Sequence, residues 1–407
     1  MLMLTQPDRR LRLISVGALI CQCAAVLLVC GAVLPVPAVA EAAGYRKVRD
    51  VVIYKDSRFH SAFPSVVKRP DGEIWVAFRR APNRKMFGEA KNYHVDPNSY
   101  LMLMRSRDGV TWSGEPTLLF ADPFGGSQDP CLLQLRDDTL ICATYGWTFV
   151  RPDGLPHLPQ PHLENFPGSI FNGGSYLRSK DGGQHWDGPL YPPSTPVELL
   201  RSPVGGGIVP AYNRGAMVET RDGRVLWAVA STDQMSPRKT SVHLMASTDK
   251  GITWKYSGPI ATDGKVSFNE TSLYETPKGE IIAFLRTEDL ADQAAIARSL
   301  DGGKSFQPWR GMGFMGHPLH ALRLRDNRVL LTYGYRHAPL GIRARILNAE
   351  CSDFSTASEI VLRDDGGTSD LGYPWSVQLD DHRVLVVYYF NVGREIQHIA
   401  GTVLEIR

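Results

Sequence analysis

The chain has 407 residues, of which 43% are hydrophobic and 21% charged, and its formal net charge is +3. That balance excludes collagen-like, long disordered and multi-span membrane classes, and the near-neutral charge argues against a nucleic-acid binder, which carries a basic patch or stripe. Length alone suggests two or three domains, yet 15 Phe, 15 Tyr, 8 Trp and 38 Gly fit many short strands and turns in one large all-β unit.

The first element is a leader. Arg9, Arg10 and Arg12 precede an apolar run from Leu13 to Val39, and Ala38-Val39-Ala40 offers small residues for a cleavage site. Residues 1–40 therefore read as a secretory signal peptide, and the chain is expected to be exported, periplasmic or extracellular. The apolar run is long, so an uncleaved N-terminal anchor is the other reading; after cleavage no membrane contact is expected. The leader holds three Arg and one Asp, so its removal lowers the formal charge from +3 to +1. It also removes Cys21, Cys23 and Cys30 and leaves Cys131, Cys142 and Cys351. An odd number argues against a disulfide framework. One bridge between Cys131 and Cys142 across a hairpin and three buried free thiols both fit. Spacing and ligand types suggest no zinc site, and no cofactor is expected.

From about residue 50 a local pattern recurs six times, a polar turn pair followed by a β-rich run. Asp71-Gly72 leads into EIWVAF, Asp137-Asp138 into TLICATY, Asp222-Gly223 into RVLWAV, Lys278-Gly279 into EIIAFL, Asp326-Asn327 into RVLLTY and Asp381-His382 into RVLVVYY. Each is preceded by another apolar stretch, so each is a hairpin signal. The intervals of 66, 85, 56, 48 and 55 residues suit four-stranded blades, which need roughly 40 to 50 residues plus loops.

A second motif falls between the hairpins. Ser179, Asp181, Gly183 and Trp186 have the form S-x-D-x-G-x-x-W, and Ser247, Asp249, Gly251 and Trp254 repeat it. Ser299, Asp301, Gly303 and Phe306 carry Phe for Trp, and Ser106, Asp108, Gly109 and Trp112 form a version one residue shorter. The Asp accepts backbone N–H bonds in a turn, the Gly supplies an unusual backbone angle, and the aromatic plugs the gap between strands. A degenerate copy spans Asn348 to Phe354, and the sixth unit shows none. These motifs resemble the Asp boxes of the sialidase (neuraminidase) superfamily over residues 50–407. The resemblance implies a six-bladed β-propeller of four-stranded antiparallel blades, one domain over residues 41–407.

The repeat also serves as a ruler. Turn pairs and Asp boxes share one face of a propeller, and the starts of the innermost strands lie on the other. Eight residues before each turn pair stand Phe63, Asp129, Arg214, Glu270, Pro318 and Tyr373. Eight residues after it stand Arg79, Tyr145, Ala230, Arg286, Gly334 and Tyr389, with Arg336 two positions beyond Gly334. One axial pocket is expected to collect Arg79, Arg214, Arg286 and Arg336 with Glu270, Asp129 and Tyr373. Several guanidinium groups facing one cavity suit an anionic ligand; the plainer alternative is that these charges only tie blades together.

The resemblance adds roles. Sialidases use a Tyr nucleophile activated by a Glu, with an Asp in proton transfer. Asn269-Glu270-Thr271 followed by Ala283-Phe284-Leu285-Arg286 resembles the segment with the catalytic Glu and a carboxylate-clamp arginine. Gly372-Tyr373-Pro374-Trp375-Ser376 resembles the segment with the nucleophile. There are departures. In Ser61-Ala62-Phe63-Pro64-Ser65, Ala62 takes the place of the first clamp arginine, for which Arg79 is a substitute from the same blade. Arg336 and Arg343 both lie near the third arginine's region. Asp96 and Asp129 are the candidates for the catalytic Asp. His317 and His320 precede the fifth blade's first strand and are expected to face the pocket, His317 as a substrate contact. The expected activity is an exported sialidase-like exo-glycosidase acting on a terminal acidic sugar of a glycan. The rivals are a glycosidase or lyase for a non-sialic polysaccharide and a non-catalytic glycan-binding propeller.

Overall fold

In the inner strands, apolar residues run on without the alternation of a half-exposed sheet. Arg383–Phe390 is buried at every position after the first, because neighbouring sheets cover both of its faces. This packing repeats around a ring. The computed structural model describes residues 44–407 except Tyr93 and Arg394, and the expected leader over residues 1–40 lies outside the described residues. The chain divides after Glu41, and the described residues belong to the unit Ala42–Arg407. They form six four-stranded antiparallel sheets, the blades of a β-propeller. The first strands of the blades are Phe59–Lys68, Gly125–Gln134, Val218–Glu219, Ser267–Glu275, Leu319–Arg323 and Gly372–Gln378. Among the described residues, no helix is long and apolar enough to cross a membrane.

Blades one to five take four consecutive strands, whereas the sixth takes its outermost strand, Tyr45–Tyr54, from the other end of the chain. That strand pairs with His398–Ile406 in a register running from Tyr45 opposite Ile406 to Tyr54 opposite Ile399. The sixth blade thus has no turn between its third and fourth strands, which is why no Asp box occurs there. In the other boxes the expected bonding is present. Ser179 Oγ bonds to Asp181 and accepts the Gly183 amide at 2.8 Å, and one Asp181 oxygen accepts the amides of Gln184 and His185. The fifth blade's version uses Asn348 Oδ1 to accept the amides of Glu350 and Ser352, with Cys351 at φ 49° where other boxes place Gly.

All three described cysteines are free and buried. Cys131 lies opposite Ala143 and Cys142 opposite Leu132 in one antiparallel pair. The two thiols are one register step apart and point to opposite faces of the sheet, which rules out the bridge between them.

Four first strands are broken at the same place. The pairing skips between Ala62 and Ser65, Gln128 and Cys131, Asn269 and Ser272, and Gly372 and Trp375. Each gap opens on a residue with positive φ: Phe63 at 57°, Asp129 at 37°, Glu270 at 20° and Tyr373 at 55°. In three of the four, Pro64, Pro130 and Pro374 follow. Proline has no N–H to lose from the ladder, so a bulge accommodates it. Such bulges re-aim side chains, and backbone strain of this kind collects at functional sites.

Candidate active site

The bulges bring Glu270 of the fourth blade against Tyr373 of the sixth. Tyr373 Oη donates to Glu270 Oε1 at 2.5 Å. Arg286, paired with Asn269 on the adjoining strand, donates Nη1 to the other Glu270 oxygen and to Tyr373 Oη, the latter at 3.0 Å. The side chains of Arg286 and Glu270 keep 16% and 14% exposure, so the unit is enclosed but reachable. Two further guanidinium groups cover the Tyr373 ring, Arg214 at 4.5 Å and Arg336 at 5.4 Å from its centroid. Phe63 packs edge-on against it at 4.8 Å.

The electrostatics assign protonation states. Burial and then the Glu270 charge push the Tyr373 phenol well above its ordinary value, so it rests protonated. Burial alone would raise Glu270, but the Arg286 charge and the Tyr373 hydrogen bond reverse this, and its carboxyl ends below the usual range. Glu270 rests ionised and is able to accept the phenolic proton. Asp129 behaves oppositely: burial raises it to about 6, Glu270 adding and Arg214 offsetting. Its Oδ2 accepts the Tyr145 hydroxyl at 2.8 Å.

A cleft opens beside Glu270. Tyr145, Trp147, Phe171 and Tyr212 form an aromatic wall, and Asn269, Arg238 and Glu288 add polar groups. Such a mostly apolar wall with a few placed polar groups is the usual make-up of a small-molecule site.

The arginines divide into two classes. Arg286 and Arg336 remain partly accessible, one at the hydroxyl and one over the ring of Tyr373; Arg336 donates to Leu371 O at 3.0 Å and to Tyr389 Oη at 3.1 Å. Arg79 and Arg214 are fully buried. Arg214 crosses the axis and donates Nη2 to Pro64 O at 3.0 Å and Tyr373 O at 3.2 Å, tying the first blade to the sixth. The same side chain also lines the cleft beside Glu270, so it holds the ring together at the edge of the expected substrate place. Arg343 lies apart from the group. It donates to Ile342 O, Arg363 O and Pro339 O and stays within the outer strands of the fifth blade. Asp96 is also apart, held by two Arg84 nitrogens at 2.6 and 2.9 Å and buried. His317 is buried near Arg286 and Arg336, and burial with those two charges brings it down to about 2, so it stays neutral. His320 does not face the cleft: it stacks on Trp375 at 4.7 Å, below the pocket near Arg214.

A model of the BNR repeat-like domain matches residues 159–386, more than half of the chain. The chain belongs to that family. Its fold is that of the sialidases. A protein of unknown function from Dyadobacter fermentans is 65% identical with a TM-score of 0.89, the match covering 90% of this chain and 100% of that one. The Hadza microbial sialidase Hz136 is 16% identical at a TM-score of 0.59, over 84% of this chain and 65% of that one. The Trypanosoma rangeli sialidase, in complex with the inhibitor DANA, is 14% identical at 0.58, over 88% and 58%. At such identities the sialidases carry the likeness of fold alone. No curated protein matches the sequence.

Sequence reasoning reached Tyr145 but missed the rest of the aromatic wall, Trp147, Phe171 and Tyr212, and a group beside Tyr389: His60, His94 and Asp370. His60 and Asp370 stand three residues before Phe63 and Tyr373, so the same ruler extended by three positions reaches both. His94 lies in the connection between the second and third strands of the first blade, and no sequence signal marks it.

Proposed function

We propose that the protein is an exported exo-glycosidase that removes a terminal acidic sugar from glycans with retention of configuration. The observation that carries this reading is the hydrogen-bonded unit of a protonated Tyr373, an ionised Glu270 and Arg286. In the first step Tyr373 Oη forms a bond to the anomeric carbon as its proton passes to Glu270. The glycosidic C–O bond breaks, and the leaving oxygen takes the proton of Asp129. In the second step water attacks the anomeric carbon and gives a proton back to Asp129, the bond from Tyr373 Oη to that carbon breaks, and the phenolate regains its proton from Glu270. A neutral phenol puts no anion at the anomeric carbon beside the sugar's carboxylate, and the Glu270 charge is offset by Arg286. Arg286 and Arg336 receive the sugar's carboxylate, and the aromatic wall takes the apolar face of the ring.

One observation favours a second reading, a glycosidase or lyase for a non-sialic acidic polysaccharide. Ala62 lies opposite Arg79 across the first hairpin, and Arg79 is fully buried, so the first blade's substitute arginine has no surface to offer a carboxylate. A panel of fluorogenic glycosides of sialic and uronic acids tests both. Turnover of a sialoside supports the first reading, and turnover of uronides alone supports the second. A fluorinated acidic-sugar trap should leave its mass on the peptide containing Tyr373. Turnover that persists in Tyr373→Phe would sink the assigned nucleophile.

A further inference from the structure

Next to the Tyr373 unit, and outside it, the first and last blades meet in a cluster of different chemistry. His60 comes from the start of Phe59–Lys68, His94 from the connection before Tyr100–Ser106, and Asp370 from the link into Gly372–Gln378. His60 Nε2 lies 3.2 Å from Asp370 Oδ2, and His94 Nε2 lies 2.9 Å from Asp370 Oδ1. The three ligand atoms all fall within 4.8 Å of one another.

We propose that His60, His94 and Asp370 bind a divalent transition-metal ion, with zinc the best match to two imidazoles and one carboxylate. Zinc takes such ligands at about 2.0 to 2.2 Å, which in a tetrahedron puts ligand atoms about 3.3 Å apart. Each histidine nitrogen already lies against one of the two Asp370 oxygens, at 3.2 and 2.9 Å, and a small adjustment of the three side chains brings both nitrogens and one carboxylate oxygen to that separation. Three protein ligands leave a fourth position open, the arrangement of a zinc site that keeps water or substrate on the metal.

The surroundings suit a metal. Burial is graded, with side-chain exposures of 1% for His60, 29% for Asp370 and 48% for His94, so a path from solvent reaches the open side. Asp370 is oriented by neighbours that are not ligands. Tyr389 Oη donates to its Oδ1 at 2.9 Å, and Asn391 Nδ2 donates to its main-chain oxygen at 2.9 Å. Phe63 packs edge-on against His94 at 5.2 Å and limits the ring's rotation. Such outer contacts fix ligand geometry in metal sites. Tyr389 also receives Arg336, so an ion here would be felt at the anion-binding side of the pocket, replacing a lone carboxylate charge with a net positive centre.

The test reads binding directly and does not depend on the glycosidase reading. Purified protein is stripped with a chelator, then titrated with Zn²⁺ in a calorimeter and with Co²⁺ by visible absorption. The expected result is one ion per chain, a Zn²⁺-dependent rise in Tm, and a loss of affinity of roughly a hundredfold or more in His94→Ala and Asp370→Asn. His94 is exposed, so His94→Ala in the absence of metal should melt with the stripped parent, and this variant decides the matter if Asp370→Asn does not fold. Absence of saturable binding by the parent, or binding by His94→Ala as tight as the parent's, overturns the site. Turnover measured on the stripped protein then reports separately on Tyr373 and Glu270.

Discussion

The two ends of a blade are built by different rules. At the turn end, Ser179, Asp181 and Gly183 satisfy one another within a few residues, and the same bonds recur at Ser247 and Ser299. At the axial end, Tyr373 finds Glu270 across 103 positions and Arg214 finds Pro64 across 150. A unit closed locally can be copied from blade to blade. A unit closed across the ring has one copy, and four blades contribute different residues at the same bulge. Stability is therefore spread over many similar turns, while the proposed chemistry is concentrated where the copies differ.

Substitutions at the two ends should separate accordingly. The largest effect is expected on turnover: Tyr373→Phe and Glu270→Gln should each lower kcat by about a thousandfold or more with little change in Tm. Steady-state kinetics and a melting curve on the same samples check this, and a comparable loss of kcat from a turn-end variant would break the contrast.

Next comes the strut. Arg214→Met removes the donor to two carbonyls and the cation near Asp129 and Glu270, and should cost about 3 to 5 kcal/mol in denaturant unfolding. If Arg214 were a ligand arm, KM would rise with stability unchanged.

A pH effect of somewhat smaller size follows from Asp129. Its folded value is raised to about 6, so between its ordinary value of about 4 and that point the folded state binds more protons than the unfolded one. Stability then falls as pH rises through this window, by about 3 kcal/mol in all. Glu198, which burial raises to about 7, acts in the same direction at slightly higher pH. Unfolding free energies across this range should fall less steeply in Asp129→Asn, and an unchanged slope would show that Asp129 does not titrate there. The smallest effect belongs to the turn end: Ser247→Ala removes the bond accepted from the Gly251 amide at 2.8 Å and should cost about 1 kcal/mol, with kcat unaltered.

The same contrast explains what could be read from the chain. Asp71-Gly72 and its five counterparts mark hairpins because a tight turn depends on its own residues. The absence of a sixth Asp box was visible but had no explanation until Tyr45–Tyr54 was seen to complete the last blade. The ruler found Asp129, Glu270 and Tyr373 at one repeat position, and in the structure they lie at one end of the axis. It could not tell what Arg286 and Arg214 hold, since only their partners, Glu270 and Tyr373 Oη for one and two main-chain carbonyls for the other, distinguish them. Asp96 and Arg343 fail for the same reason: an ion pair with Arg84 and a set of fifth-blade carbonyls are contacts no local pattern announces. The prolines after Phe63, Asp129 and Tyr373 were a signal passed over; read as bulge residues, they mark the axial positions directly.

By itself, then, the sequence determined the elements whose bonds close within a few residues: the hairpins, the Asp boxes and the number of blades. Only the tertiary structure decided which charges are spent holding the ring, which remain open to a ligand, and that His60, His94 and Asp370 meet. Those outcomes depend on closing a ring whose ends lie more than 350 residues apart, where Tyr45 pairs with Ile406, and on burial that only the closed ring creates.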